Sequence, residues 1–177
     1  PVPEGVAVNI RGRNYKILAN VEIEDPNASG VIFAHGSRFG GHALFIKDRK
    51  LHYVYNFLGI RPEQVFVSDK TLKPGQYTLG MEFIREEAGE YGESLGRMKL
   101  YIDEAVVAEG PMKTQPAKFT LSGDGLCVGY DSGDNVSQLY KSPGEFEGGT
   151  IQGVGVTVEG TPYVNLEAEA KRLMKVQ

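Results

Sequence analysis

Tryptophan is absent from this 177-residue chain, and cysteine occurs once, at Cys127. A single cysteine excludes an intrachain disulfide, so the fold must be held by its apolar core. The missing tryptophan removes the best flat platform for stacking on a sugar ring. Long apolar runs are missing too, and none approaches the roughly 20 residues of a membrane-crossing helix. Basic charge is not in excess: 19 Lys and Arg against 23 Asp and Glu leave a net charge of -4. That excludes the electrostatic footprint of a nucleic-acid binder, and no basic cluster suggests a membrane surface. The stretch PVPEGVAV lacks the charged-then-apolar pattern of a signal peptide. Cytoplasm is the simplest compartment for such a chain, and the periplasm stays open because exported bacterial proteins also do without disulfides.

What the chain does have is glycine, 23 residues of it, as a fold rich in tight turns requires. The length suits one domain over 1–177 with a two-layer core. The organising stretch is GVIFAHGSRFGGHALFIKDRKLHYVYNFLG, residues 30–59. It predicts strands over 31–34, 43–47 and 51–57, joined by a wide glycine turn over 36–41 and a tight polar turn over 48–50. In the third strand Leu51, Tyr53, Tyr55 and Phe57 share one face, and His52, Val54 and Asn56 the other. The aromatic stripe reads as core rather than as a lectin platform. Further strands are predicted over 6–10, 15–24, 65–67, 77–84, 98–102, 105–109, 119–121, 126–130 and 150–158, with a charged loop over 85–96. Many short strands at close spacing specify an all-β antiparallel two-sheet sandwich. Residues 165–175 break the pattern: Leu166, Ala170 and Leu173 recur at helical spacing after Asn165, which predicts a short C-terminal helix on the sandwich edge.

The 30–59 stretch, together with LYIDEAVVAEG, LCVGYDSGD and PGEFEGGTIQGVGVTVEG in the same order, resembles the β-sandwich region that follows the catalytic domain in long bacterial arylsulfatases. The resemblance covers nearly the whole chain. It implies a jelly roll of concanavalin A-like or laminin-G-like type. It also implies a non-catalytic accessory domain whose partner is a sulfatase catalytic domain, in cis or as a separate chain. Sulfatases convert a Cys or Ser within C/S-x-P-x-R into their formylglycine nucleophile, and neither Cys127 nor any serine here has Pro and Arg at those offsets. The chain alone is therefore expected not to be an enzyme, and Cys127 reads as a small buried strand residue.

Three other chemistries compete. A retaining glycosidase needs two carboxyl groups about 5 Å apart on one face. Glu22 with Glu24 and Glu145 with Glu147 are the pairs by spacing, and both read as solvated or turn-flanking charges. A structural calcium is the candidate cofactor, with Asp124, Asp131, Asp134 and Asn135 as oxygen ligands in a glycine-rich region. Asx turns explain the same residues without metal. A free-standing carbohydrate-binding module would use Tyr130, Tyr140 and Arg38 against a carbohydrate or sulfated small molecule. His35, His42 and His52 show no ligand spacing and read as surface or loop residues.

Overall fold

The structure, a computed structural model, describes residues 1–119 and 125–159. The expected helix over 165–175, Asp124 and residues 120–121 of the expected strand over 119–121 lie outside the described residues. Among the described residues ten strands form, in chain order: β1 (Asn14–Ile23), β2 (Gly30–Ser37), β3 (Gly40–Lys47), β4 (Lys50–Asn56), β5 (Gln64–Thr71), β6 (Gly75–Ala88), β7 (Ser94–Ile102), β8 (Ala105–Thr114), β9 (Leu126–Val128) and β10 (Gly149–Glu159). They make two five-stranded sheets of order β10-β1-β6-β7-β8 and β5-β4-β3-β2-β9. Every pairing between these strands is antiparallel. The chain is a β-sandwich, as the strand spacing predicts. No helix among the described residues is long and apolar enough to cross a membrane.

The core lies between the sheets. Alternation in β1 sends Tyr15, Ile17, Ala19, Val21 and Ile23 inward, where they meet Leu79, Met81 and Phe83 of β6 and Leu51, Tyr53 and Tyr55 of β4. The aromatic stripe of β4 is thus core. Its hydroxyls are not orphaned there: Tyr15 and Tyr53 share a hydrogen bond of 2.7 Å, and Tyr55 accepts from the Gln115 backbone N–H at 2.8 Å. A buried hydroxyl without a partner would cost a few kcal/mol, about 1–3 by mutational measure.

Several expectations need correction. Residues 6–10 form no strand; Val6 and Ala7 turn back to the Pro3 carbonyl instead, and Asn9 accepts from the Arg11 N–H as an Asx turn does. The wide turn over 36–41 is a tight hairpin, with only Arg38 and Phe39 between β2 and β3. Its glycines serve close approach within the ladder: a Cβ at Gly36 (φ +112) would lie 2.3 Å from the Gly40 carbonyl oxygen. The loop over 85–96 shrinks to five residues, 89–93, because β6 runs on past Phe83 with residues 84–88 exposed and still pairs with the start of β7. Charged residues are then no obstacle to pairing, and Arg85 and Glu87 flank a bulge. All three histidines are buried, against expectation.

The outer face of the β5-β4-β3-β2-β9 sheet is covered as well. Val31, Ala34, Ala43, Phe45 and Val54 form a second small core there with Val136, and Leu139 and Tyr140 pack on it. The cover is the long connection from β9 to β10. It explains why β2, β3 and β4 lack a wet face: a strand buried on both sides reads as a continuous apolar run.

Candidate functional site

The connection over 129–148 carries most of the residues with candidate chemistry, and the sheet beneath it dictates where they point. Asp131 is buried, at 2% exposure. Its Oδ2 accepts from the Tyr140 hydroxyl at 2.5 Å and from the Val136 N–H at 3.0 Å. Its backbone is held as well, N–H to the Pro143 carbonyl and carbonyl from the Ser142 hydroxyl. Burial and the adjacent Asp131 carboxylate push the Tyr140 hydroxyl well above its ordinary pKa, so it stays a donor at any ordinary pH. The Tyr140 ring meets Phe45 edge-on with centroids 5.0 Å apart, and Asn135 donates from Nδ2 to the Tyr140 carbonyl. Asp131, Asn135 and Tyr140 thus form an internal strut that folds the loop onto itself.

Four further bonds pin the loop to the sheet and its rim. Lys47 Nζ on β3 donates to the Leu139 carbonyl at 2.8 Å, and Asn56 Nδ2 at the end of β4 donates to the Val136 carbonyl at 2.9 Å. Glu63, just before β5, accepts from the Ser137 hydroxyl at 2.7 Å and the Gln138 N–H at 2.9 Å. Asn56 also donates to the Arg38 carbonyl, so the β2–β3 hairpin tip and the loop share one anchor.

Between that tip and the loop lies an open cleft of about 330 Å³. Arg38, Arg61 and Glu63 line one part of it, and Asp134, Asn135, Ser137 and Gln138 another. Arg38 Nε stands 3.5 Å from Asp134 Oδ2, and Arg61 Nη1 stands 3.6 Å from Glu63 Oε1. The Arg38–Asp134 pair is exposed, and pairs of that kind contribute about 0–1 kcal/mol. The Arg38 guanidinium lies over the Phe39 ring, 4.8 Å from its centroid, and that ring is exposed.

Of the residues singled out by sequence, Arg38, Asp134 and Asn135 meet at this cleft. Asp131 and Tyr140 meet each other beneath the loop. Tyr130 is half-buried just beyond β9 and is not part of the cleft wall. Among the described residues, no three His, Cys, Asp or Glu side chains stand together as metal ligands. Arg61, Glu63, Ser137 and Gln138 were missed. Their signal is faint: Arg61-Pro62-Glu63 looks like any charged turn until the topology sets it against residues 133–138. The carboxylates of Glu145 and Glu147 are exposed, while their backbones bridge to Val31 and Ser29 beside β2.

A second polar cluster sits inside the sandwich. His42 Nδ1 lies 2.9 Å from the Tyr53 hydroxyl, and its ring is 6.1 Å from that of His35. The Nε2 atoms of both histidines are buried with no hydrogen-bond partner among the described residues. Burial holds both imidazoles below their ordinary pKa, His35 at about 4. They are neutral core residues. Cys127 is buried on β9, its sulfur 3.3 Å from the Ser132 hydroxyl.

No protein-family model matches the chain, and no curated protein matches it either.

Proposed function

We propose that the chain is a non-catalytic accessory β-sandwich domain of jelly-roll type from an arylsulfatase-like sulfuric ester hydrolase, packing on its catalytic domain and shaping access to it. The observation that carries this reading is the use made of the 129–148 loop. Its most reactive-looking groups, Asp131, Tyr140 and Asn135, hold one another and lash the loop over a sheet face. Residues spent in this way support an architectural role. The strings that carry the resemblance fall on the β2–β4 meander, the β7–β8 hairpin, β9 with the first residues of the 129–148 loop, and the end of that loop with β10. The partner is then the catalytic domain, joined in cis or supplied as a separate chain.

The test has two arms. Sequencing the reading frame upstream should find C/S-x-P-x-R in phase, and the isolated chain should not hydrolyse aryl sulfate esters. Turnover above blank by the purified chain, lost in Glu63→Gln or Glu145→Gln, would sink the reading. A free-standing carbohydrate-binding module is the second reading, and the rim cleft is the observation that favours it.

A further inference from the structure

The outer backbone groups of an edge strand need partners, and among the described residues the sandwich has four such edges: β10 and β8 of one sheet, β5 and β9 of the other. Three of them are managed. The Gln64 side chain of β5 bonds both ways with the Lys113 backbone of β8, at 2.9 Å each, which ties those two edges together. The β8 edge also carries Glu109, Pro111 and Lys113, residue types that discourage pairing with a further strand. Val2 covers β9 with two backbone bonds to Leu126, of 2.8 and 2.7 Å. The β10 edge has no such device along most of its length. Among the described residues it pairs with β1 alone, and residues 149–158 hold neither a charge nor a proline.

The inner side of β10 is unfinished as well. Val154, Val156 and Val158 lie opposite Ala19, Ile17 and Tyr15, all inward-facing core residues, yet the valines are only half-buried. Val128 on β9 lies opposite Phe33 and so faces inward too, but it is 43% exposed. The mouth of the sandwich between β9 and β10 is therefore open and apolar. A bulge at Gln152, opposite the step from Asn20 to Val21, limits the regular part of β10 to residues 153–159. That stretch, Gly153-Val154-Gly155-Val156-Thr157-Val158-Glu159, fits a reversed copy of itself. Opposed residues of an antiparallel pair share a face. Centred on Val156, the register sets Val154 opposite Val158 and Val156 opposite its own equivalent on the inner side. On the outer side Gly155 meets Thr157 and Gly153 meets Glu159, so no like charges oppose. An unrelated strand would match this pattern by accident, whereas a second copy matches it by symmetry.

We infer that β10 is a self-pairing edge: two copies of the chain join there about a two-fold axis, merging their five-stranded sheets into one continuous sheet with the valine rows side by side. Analytical ultracentrifugation of the full chain from ~1 to ~200 μM should show a reversible monomer–dimer equilibrium. Two pairs of variants read the register. Gly155→Lys combined with Thr157→Lys sets lysine against lysine across the axis on the outer face, and should weaken the dimer about tenfold or more. Added lysines bring the net charge of -4 nearer to zero, which by itself would favour association, so the loss reports the local opposition. Gly155→Glu combined with Thr157→Lys sets opposite charges there instead and should restore pairing to within about threefold of wild type. The Gly155 Cβ position has nothing within 4 Å, so these changes leave the core alone, and unchanged melting temperatures at dilution would show it. If the double-lysine variant melts early, Gly153→Lys stands in: it sets a lysine opposite Glu159 of the other copy and should tighten the dimer several-fold. Three results overturn the inference. One is a monomer throughout the range, as an edge covered by residues 160–177 or by a different protein would give. Another is a dimer indifferent to the double-lysine change, which would place the contact on another face. The third is a glutamate–lysine variant no tighter than the double-lysine one, or a folded Gly153→Lys no tighter than wild type.

Discussion

Asp131 shows how one residue can look like a ligand and act as a strut. A buried carboxylate is costly unless hydrogen bonds replace its water, and here Tyr140 and the Val136 N–H do so. Removing either side leaves a polar group stranded beneath the loop. Tyr140→Phe is expected to cost about 1–3 kcal/mol and Asp131→Ala about 3 kcal/mol, measured by urea denaturation. The cost of Asp131→Ala should be the same with calcium and with chelator. A calcium site at Asp131 would instead make the wild type melt higher in calcium and the variant indifferent to it. Equal costs would leave Asp131 as an acceptor and nothing more. Sequence alone could not separate these roles, because an aspartate among Ser and Gly looks the same solvated, turn-forming or buried.

The hairpin of β2 and β3 makes the corresponding point for an element. Gly36 sits at φ +112 with no room for a Cβ, whereas Gly155 in β10 has nothing within 4 Å of its Cβ position. Gly36→Ala should therefore cost at least about 2 kcal/mol, from backbone strain and the clash with the Gly40 carbonyl. Gly155→Ala should change stability by less than about 1 kcal/mol, and towards stabilisation, because it only restricts the unfolded chain. Thermal melts of the two variants side by side check both. Comparable losses would mean that β10 is more tightly enclosed at Gly155 than its open surroundings indicate. Strands were legible where one face is wet, as in β1, with its alternation from Tyr15 to Ile23. They were misjudged where the rule behind the reading fails. Arg85 to Ala88 pair although charged, because they project past the core. His35, His42 and His52 are buried because the meander is covered on both faces, one of them by a loop from far along the chain. That covering is a tertiary fact, so nothing local marks it, and the Arg61–Glu63 side of the cleft stayed invisible for the same reason.

For the whole molecule, the polar cluster inside the sandwich sets the pH range of the fold. His35 on β2 faces His42 on β3, with Tyr15 of β1, Tyr53 and Tyr55 of β4 and Phe119 around them. Glu4, Arg11 and Lys118 line a small cavity on the outer side of His35. Desolvation holds the folded His35 imidazole at about 4, against about 6.5 in the unfolded chain. Between those values the unfolded state binds more protons, so stability is full above about pH 6.5 and falls as the pH drops toward 4. His35 alone accounts for about 3 kcal/mol over that span, and His42, lowered in the same way, adds to it. The alkaline side has the opposite sign. Burial raises Tyr15, Tyr53 and Tyr55 above their ordinary values, so the unfolded chain loses protons first and stability falls as the pH rises beyond about 10. Urea midpoints measured across pH should show a plateau between about 6.5 and 10 with a decline on each side. The decline between 6.5 and 5 reports the histidines, His52 among them because burial lowers it too, since ordinary carboxylates titrate lower. His35→Phe keeps an aromatic ring against Phe119 and removes one proton site, so it should flatten that acid limb. An unaltered limb in a folded His35→Phe variant would show that the imidazole pair does not set the acid boundary.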